Sequence, residues 1–207
     1  MKTQDQTNPS FVILLSLSIV LCVGSGCSTT ETRKVNVKPY ATGAARLENR
    51  FQLAAALVMD KEFKNYHSRN SFYSVGTMTF IYPFGEVLSQ YAKNVSESMF
   101  NQVAMCDSLE GAVNRADVIL IPKVVRSNVA IADDYRTQIE VEWLVKDRAG
   151  RNSLWLTTIE AKAAASGFNG YAREKASLQG AFDELSVKTL KAFQESPELK
   201  RIQPLPQ

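Results

Sequence analysis

The most regular pattern along the chain is an alternation of apolar residues with Gln, Glu and Lys over positions 137–146. A period of two residues predicts a strand with one buried face and one wet face. The stretch 147–150 supplies a turn with Gly150 at its end, and 154–165 has the composition of a returning strand. These residues therefore predict a hairpin.

Three other runs predict strands. Residues 72–82 are rich in aromatic and β-branched side chains, and 117–125 is apolar at both parities, which indicates burial on both faces. Pro122 cannot donate to a ladder, so we expect a bulge or an open edge there. The run 53–59 is ambiguous, because its three alanines favour a helix and its unbroken apolar composition favours a buried strand. We predict a strand, followed by a short helical turn over 60–65.

Two stretches have helical periodicity. Residues 86–102 place apolar side chains at three- and four-residue spacing with polar ones opposite. Residues 171–195 predict a long closing helix, in which Glu184 and Lys188 have the favourable spacing for an ion pair. We expect a loop over 106–115. The order of elements predicts an α+β domain with a single mixed β-sheet and two amphipathic helices packed on one face.

The N-terminal region has the pattern of a secretion signal. Residues 11–23 form an uncharged apolar run that is too short to span a bilayer comfortably, and this is typical of a signal peptide. The following Gly24-Ser25-Gly26-Cys27 resembles the lipobox of bacterial lipoproteins, although Leu is usual where Gly24 stands. The resemblance implies a diacylglycerol on the Cys27 thiol, cleavage before Cys27 and acylation of the new amino group. Ser28 stands where Asp would resemble an inner-membrane retention signal, so the resemblance favours the outer membrane.

The chain is therefore expected to have four parts. Residues 1–26 are the lipoprotein signal peptide, and 27–45 are the lipidated Cys27 and a flexible polar tether. Residues 46–196 form the α+β globular domain, and 197–207 form a Pro-containing C-terminal tail. We expect the domain at the periplasmic face of the outer membrane, and the pattern leaves exposure at the cell surface open.

Charge and cysteine content narrow the chemistry. The 24 basic and 21 acidic residues are too balanced for a nucleic-acid interface. Once Cys27 is acylated, Cys106 alone remains, and one thiol forms neither an intramolecular disulfide nor a metal cage. The single His67 lies in a polar stretch and gives the thiol no base, and Asp133 with Asp134 is typical of a solvated turn. We predict no catalytic residue, no metal site and no cofactor.

Four aromatic residues are candidates for contact with a partner or a ligand. Tyr82 and Phe84 flank a turn at a predicted helix start, and Trp143 and Trp155 lie on the predicted hairpin. For the two tryptophans we favour burial in the core, and for Tyr82 and Phe84 a hydrophobic staple at the helix start. An interaction role for all four is the alternative.

The stretches 54–60, 82–85, 116–122 and 145–150, taken in order, are similar to those of small Gram-negative envelope lipoproteins. The similarity is to the YajG-like lipoproteins and to the auxiliary lipoproteins of ABC-type envelope transporters. It implies an accessory, non-enzymatic role in the envelope. We therefore expect an interaction module that is held to the membrane through Cys27 and binds an envelope protein. The alternative is a periplasmic lipoprotein that binds a lipid or another small ligand.

Overall fold

The computed structural model describes residues 28–39, 50–74, 76–131 and 135–202. Within these ranges the strands are β1 (Ser28–Thr32), β2 (Phe51–Val58), β3 (His67–Ser74), β4 (Gly76–Pro83), β5 (Phe100–Cys106), β6 (Val118–Ile131), β7 (Tyr135–Asp147) and β8 (Ser153–Ala165). The helices are α1 (Lys61–Lys64), α2 (Gly85–Met99), α3 (Leu109–Ala112), α4 (Gly170–Glu195) and α5 (Pro197–Lys200). None of the helices in this part of the chain is long and apolar enough to cross a membrane.

The strands form two sheets, one of three strands in the order β1-β4-β3 and one of five in the order β5-β2-β6-β7-β8. Each sheet mixes parallel and antiparallel pairs. The α+β class and the mixed pairing are therefore confirmed, but the prediction of a single sheet is wrong. The sheets are separate because no described strand of the first pairs with a strand of the second, and Asn70 of β3 reaches the Val129 carbonyl of β6 only through its side chain. Within the five-stranded sheet, β2 pairs with β6 only as far as Leu120, and β6 is irregular between Val124 and Arg126. Pro122 thus lies where β6 has lost its β2 partner, as its missing N–H requires.

The two long helices cover one face of the five-stranded sheet, as predicted. Tyr91 of α2 and Phe193 of α4 both contact the Trp143 ring, with ring centroids 6.1 and 5.3 Å apart. The ion pair of Glu184 and Lys188 on α4 is also present, at 2.7 Å. The three-stranded sheet closes the same core from the side of β4. Burial of these apolar faces supplies the main driving force for the fold.

The segment between β2 and α2 is fixed by backbone contacts. Strand β2 and the short helix α1 that follows it confirm the predictions for 53–59 and 60–65. The Asp60 carboxylate caps α1 by accepting a hydrogen bond from the Phe63 amide at 2.7 Å. The Tyr66 carbonyl accepts from the amides of Phe84 and Gly85 at 2.9 and 3.1 Å. A Cβ at position 85 would overlap the backbone carbonyl of Lys64, the last residue of α1, so only glycine allows this close approach.

Two segments differ from the predicted elements. The predicted strand over 72–82 is in fact a hairpin of β3 and β4. The sequence pattern did not reveal β3 as a separate strand, because its polar first half has no apolar alternation. The helix predicted over 86–102 ends at Met99, and β5 follows it with no connecting residue, while the loop predicted over 106–115 contains the short helix α3. The apolar stripe of α2 continues into Phe100, and therefore the helical period does not mark the helix end.

The segment predicted as a flexible tether is ordered over residues 28–39. Its first residues form β1, which runs parallel to β4 with Ser28 opposite Thr77. Farther along, the Lys38 amide donates to Gln179 Oε1 at 3.1 Å, and Gln179 Nε2 donates to the Lys38 carbonyl at 2.6 Å. The sequence did not predict this strand, because a polar edge strand carries no apolar pattern that would reveal it, and the tether over 27–45 stays a prediction. Cys27, the signal peptide over 1–26 and residues 40–49 lie outside the described residues.

The domain also extends past residue 196, where the predicted tail begins. Helix α5 starts with Pro197 at a position that needs no amide donor. The Ser196 hydroxyl caps it by accepting from the Leu199 amide at 3.2 Å, and the Leu199 side chain is buried in the core. The Pro-containing tail over 197–207 stays a prediction, with a helical turn at its start that the sequence did not indicate, and residues 203–207 lie outside the described ranges.

Candidate functional site

The four aromatic candidates lie in or against the core. Tyr82, Phe84 and Trp143 are fully buried, and Trp155 is partly buried with its ring centroid 4.8 Å from that of Phe193. This burial agrees with the core and staple interpretations that the sequence favoured, and the interaction role stays a prediction for all four residues.

Trp143 and Tyr91 form a satisfied polar network inside the core. Trp143 Nε1 donates to the Tyr91 hydroxyl at 3.0 Å, and that hydroxyl lies 2.6 Å from the Thr189 hydroxyl. Burial raises the pKa of Tyr91 above its ordinary value, so the phenol stays neutral. Because every partner is buried and hydrogen-bonded, the network fixes the packing of α2 and α4 on the sheet.

A second buried polar group lies where β4 meets α4. Burial is the main cause that raises the pKa of Tyr82 far above its ordinary value, and the nearby carboxylate of Glu174 raises it further. The Glu174 side chain is itself buried, which the sequence did not indicate. Neither residue lines the two clefts that flank residues 33–39. A neutral phenol in this position can donate a hydrogen bond but cannot act as a base.

The sequence-derived nucleophile and acid candidates do not come together. Cys106 is buried, and its Sγ lies 3.6 Å from the Gly111 carbonyl oxygen under the short helix α3. His67 lies at the start of β3, in the other sheet. Asp133 and Asp134 fall outside the described residues. Among the residues that are described, no group of His, Cys, Asp and Glu has a spacing suited to a metal ion.

The outer face of the five-stranded sheet, opposite α2 and α4, carries an apolar row across three strands. Ile121 of β6 stands opposite Leu144 of β7, which stands opposite Leu156 of β8. Directly paired residues share one face of a sheet. Leu156 is 59% exposed, and the other two are half-buried. The sequence held a signal for this apolar row, because Leu144 is the one apolar residue among the wet-face positions of β7.

Charged side chains occupy the same face farther along the strands. Arg126 Nη2 lies 3.2 Å from Glu140 and 3.3 Å from Glu160, and Lys162 Nζ lies 2.9 Å from Glu160. The hydrogen bond from Lys162 is the main cause that holds the pKa of Glu160 below its usual value. Exposed pairs of this kind add little to stability. They form a hydrated surface beside the apolar row. Ile121 at one end of the row packs against the buried cluster under α3, and Leu156 at the other end is exposed.

Strand β8 lies at one edge of this sheet, and α4 caps part of that edge. The Lys162 amide donates to Glu184 Oε2 at 2.7 Å, and Lys188 Nζ donates to the Glu160 carbonyl at 2.9 Å. These are the backbone groups that point away from β7. An added strand would have to displace two charged side chains here, so this part of the edge is protected against pairing.

Two open clefts flank the ordered segment 33–39. One has a volume of about 500 Å³ and the other about 490 Å³, and both are bordered by Glu86 and Val87 at the start of α2. The first is further lined by Lys34, Val35, Asn36, Lys64, Asn65, Tyr66, His67, Pro83 and Gly85. The second is further lined by Val35, Asn36, Val37, Lys38, Pro39, Gln90 and Asn94. The lining of each cleft mixes apolar side chains with charged and amide ones, as in sites that bind small molecules.

Comparison with known proteins assigns the fold and no more. Neither protein-family models nor curated protein sequences match this chain. A crystal structure of a Xanthomonas campestris protein of family DUF330 aligns with a TM-score of 0.51 and 11% identity, over 78% of this chain and 92% of that chain. The two proteins are thus similar in fold.

Two structures described as lipoproteins align less closely. One is the minor lipoprotein of Acinetobacter baumannii, with a TM-score of 0.38 and 13% identity over 70% of this chain and 92% of that chain. The other is a Neisseria meningitidis lipoprotein, with a TM-score of 0.32 and 12% identity over 57% of this chain and 89% of that chain. Alignments this distant carry no argument about function.

Proposed function

We propose that this chain is an envelope lipoprotein whose mature form begins at an acylated Cys27, at the periplasmic face of the outer membrane. Its domain acts without catalysis, as an accessory interaction module of an envelope assembly or transport system. This is the role implied by the resemblance to YajG-like lipoproteins and to auxiliary lipoproteins of ABC-type transporters. The observation that carries the interaction role is the exposed apolar row of Ile121, Leu144 and Leu156.

The anchor rests on the sequence before β1. The apolar run over 11–23 ends in small residues and Cys27, the order that signal cleavage and lipid transfer require. Each buried methylene contributes about 0.8 kcal/mol to membrane binding, and a single acyl chain binds only marginally. A diacylglycerol and an added N-acyl chain together would hold the domain on the membrane for practical purposes.

The absence of catalysis is supported by where the perturbed groups lie. The two groups with strongly raised pKa values, Tyr82 and Tyr91, are buried in the core, away from both clefts. A general acid or base has to reach a substrate, and active sites are where clefts and shifted pKa values coincide. These two features are separate in the described part of the chain.

The apolar row has the dimensions of a helix-binding surface. Three adjacent strands span two inter-strand spacings, about 10 Å, and this matches the width of one helix. A partner helix with an apolar stripe could lie across Ile121, Leu144 and Leu156 and remove them from water. The capped edge of β8 at residues 160–162 makes the face of the sheet, rather than that part of its edge, the better docking surface.

In-cell crosslinking tests this surface. A photoreactive amino acid at Thr158, which is exposed beside Leu156, should capture one envelope protein. Leu156→Asp should reduce that capture at least about tenfold, since removing one apolar anchor and burying a charge costs more than about 1.4 kcal/mol. Val187→Asp is the matched control, because Val187 of α4 is similarly exposed, at 54%, and lies away from the row. Equal capture in both variants, or none in the unsubstituted protein, would contradict the proposed surface.

The two clefts favour ligand binding as a second candidate function. Lys34 of the segment after β1, Lys64 of α1 and His67 of β3 line the first cleft, and the Lys64 ammonium is paired with the Asp107 carboxylate. Their polar groups can hold a polar small molecule. In native mass spectra of the purified protein, a retained small molecule that is lost on Lys64→Ala would favour this function over protein binding.

A further inference from the structure

The fold places the lipid attachment point beside one end of the three-stranded sheet. Ser28, the first residue of β1, stands opposite Thr77 near the start of β4. The Cα atom of Cys27 lies within about 3.8 Å of that of Ser28, because the two residues share a peptide bond. On β3, Tyr73 stands opposite Thr77 and Ser74 opposite Gly76. The anchored cysteine is therefore next to the end where β3 and β4 meet.

This hairpin end, defined here as residues 28–30, 72–74 and 76–78, carries no charge. The chain has no charged residue from Asn70 to Gly85, and β1 has none before Glu31. Three residues of a strand span about 10 Å. The uncharged layer thus extends about 10 Å from Ser28 into the domain, similar to the depth of about 5–10 Å to which interfacial elements enter a bilayer.

The hairpin end also exposes apolar surface that belongs to the core face. Met78 lies on the same face of β4 as Phe80 and Tyr82. Those two side chains are buried, but that of Met78 is 40% exposed. Thr29 of β1 and Phe72 of β3 occupy the register positions on either side of Met78. The apolar face of β4 therefore continues past the covered core and ends where the acyl chains begin.

We propose that this hairpin end inserts into the headgroup region of the lipid bilayer, beside the acyl chains on Cys27. The inference rests on the acylation proposed above and adds an orientation to it. Because β1 starts next to the anchor and is paired along its length with β4, no flexible tether separates the domain from the membrane. The strands then run away from the bilayer, and both clefts and the start of α2 lie at the far end.

Depth measurement with spin labels tests the proposal on the full acylated protein. Met78→Cys and Met105→Cys are a matched pair in a Cys106→Ala background, because Met105 of β5 is a similarly exposed methionine on the other sheet, at 45%. Each labelled protein is reconstituted into phosphatidylethanolamine–phosphatidylglycerol vesicles and isolated by flotation. We expect the label at position 78 to lose accessibility to a water-soluble nickel chelate severalfold and to remain accessible to oxygen. The label at position 105 should keep its accessibility to the chelate.

Equal chelate accessibility at the two positions, in protein that floats with the vesicles, would overturn the orientation and leave the anchor intact. Failure to float would overturn both. Hydrogen exchange of the unsubstituted protein gives a second readout that does not depend on the Cys106→Ala background. Exchange over 76–79 should slow on vesicles relative to a lipid-free chain over 28–207, and exchange over 101–105 should not change. Unchanged exchange over 76–79 would also contradict the proposal.

Discussion

Replacing Cys27 by Ser is expected to abolish acylation of the protein completely. A serine hydroxyl cannot form the thioether that attaches the diacylglycerol, and the later N-acylation depends on that step. In cells supplied with an alkyne-bearing fatty acid, the unsubstituted protein should be labelled and the Cys27→Ser variant should carry no label. Fluorescence of the gel band after attachment of a dye to the alkyne measures the difference.

Cys22→Ser and Cys106→Ser are the controls for this experiment, since the chain has three cysteines. Both variants should keep the label, because residue 22 leaves with the signal peptide and Cys106 is buried under α3. In addition, residues 28–207 exported behind an ordinary cleavable signal should appear in the soluble fraction. A label that persists in Cys27→Ser, or disappears in Cys22→Ser, would contradict the assignment of the anchor.

Replacing Phe193 by Ala is expected to lower the free energy of unfolding by about 3–5 kcal/mol. Phe193 of α4 is fully buried and contacts the rings of Phe100, Trp143 and Trp155 with centroid distances of 5.9, 5.3 and 4.8 Å. It thereby joins the long helix to the start of β5 and to both strands of the hairpin. The substitution removes these contacts and leaves a cavity that rigid strands cannot fill. Urea unfolding followed by tryptophan fluorescence measures the change.

Val187→Ala on the same helix is the control, since Val187 is 54% exposed. Its effect on the free energy of unfolding should stay within about 0.5 kcal/mol. A loss for Phe193→Ala no larger than that of the control would mean that α4 does not pack on the sheet as described.

The elements with a strong period could be predicted from the sequence. Strand β7 was indicated by strict alternation, and α4 by its stripe and its charge pair, because one face of each element is buried along its whole length. The ambiguous run at 53–59 also proved to be a strand, buried by α2 on one face and by α3 on the other. In these cases the sequence pattern follows directly from which faces of the element are buried and which are exposed to solvent.

The pairing of strands could not be predicted in the same way. Strand β1 is polar and exposed along its whole length, and its backbone hydrogen bonds to β4 hold it in place. Because backbone hydrogen bonds do not depend on the type of side chain, the sequence gives no sign of this pairing. The division into two sheets depends on which strands pair with which, since β3 and β4 pair with each other and β4 with β1, but neither pairs with a described strand of the five-stranded sheet.

The candidate site was predictable only in part, because aromatic content does not separate core from surface. Tyr82, Phe84 and Trp143 are large apolar residues whose burial is favourable, and all three are buried. The apolar row on the outer face became visible once register placed Leu144 between Ile121 and Leu156. Leu144 alone, within one strand, carries too little information to indicate a surface.

Intact-mass spectrometry of the protein purified from its native membrane tests the central claim most directly. The proposed function predicts a mature chain that begins at Cys27 and carries the added mass of a diacylglycerol and one N-linked acyl chain. A mature chain with an unmodified Cys27, or one that begins at any other residue, would contradict it.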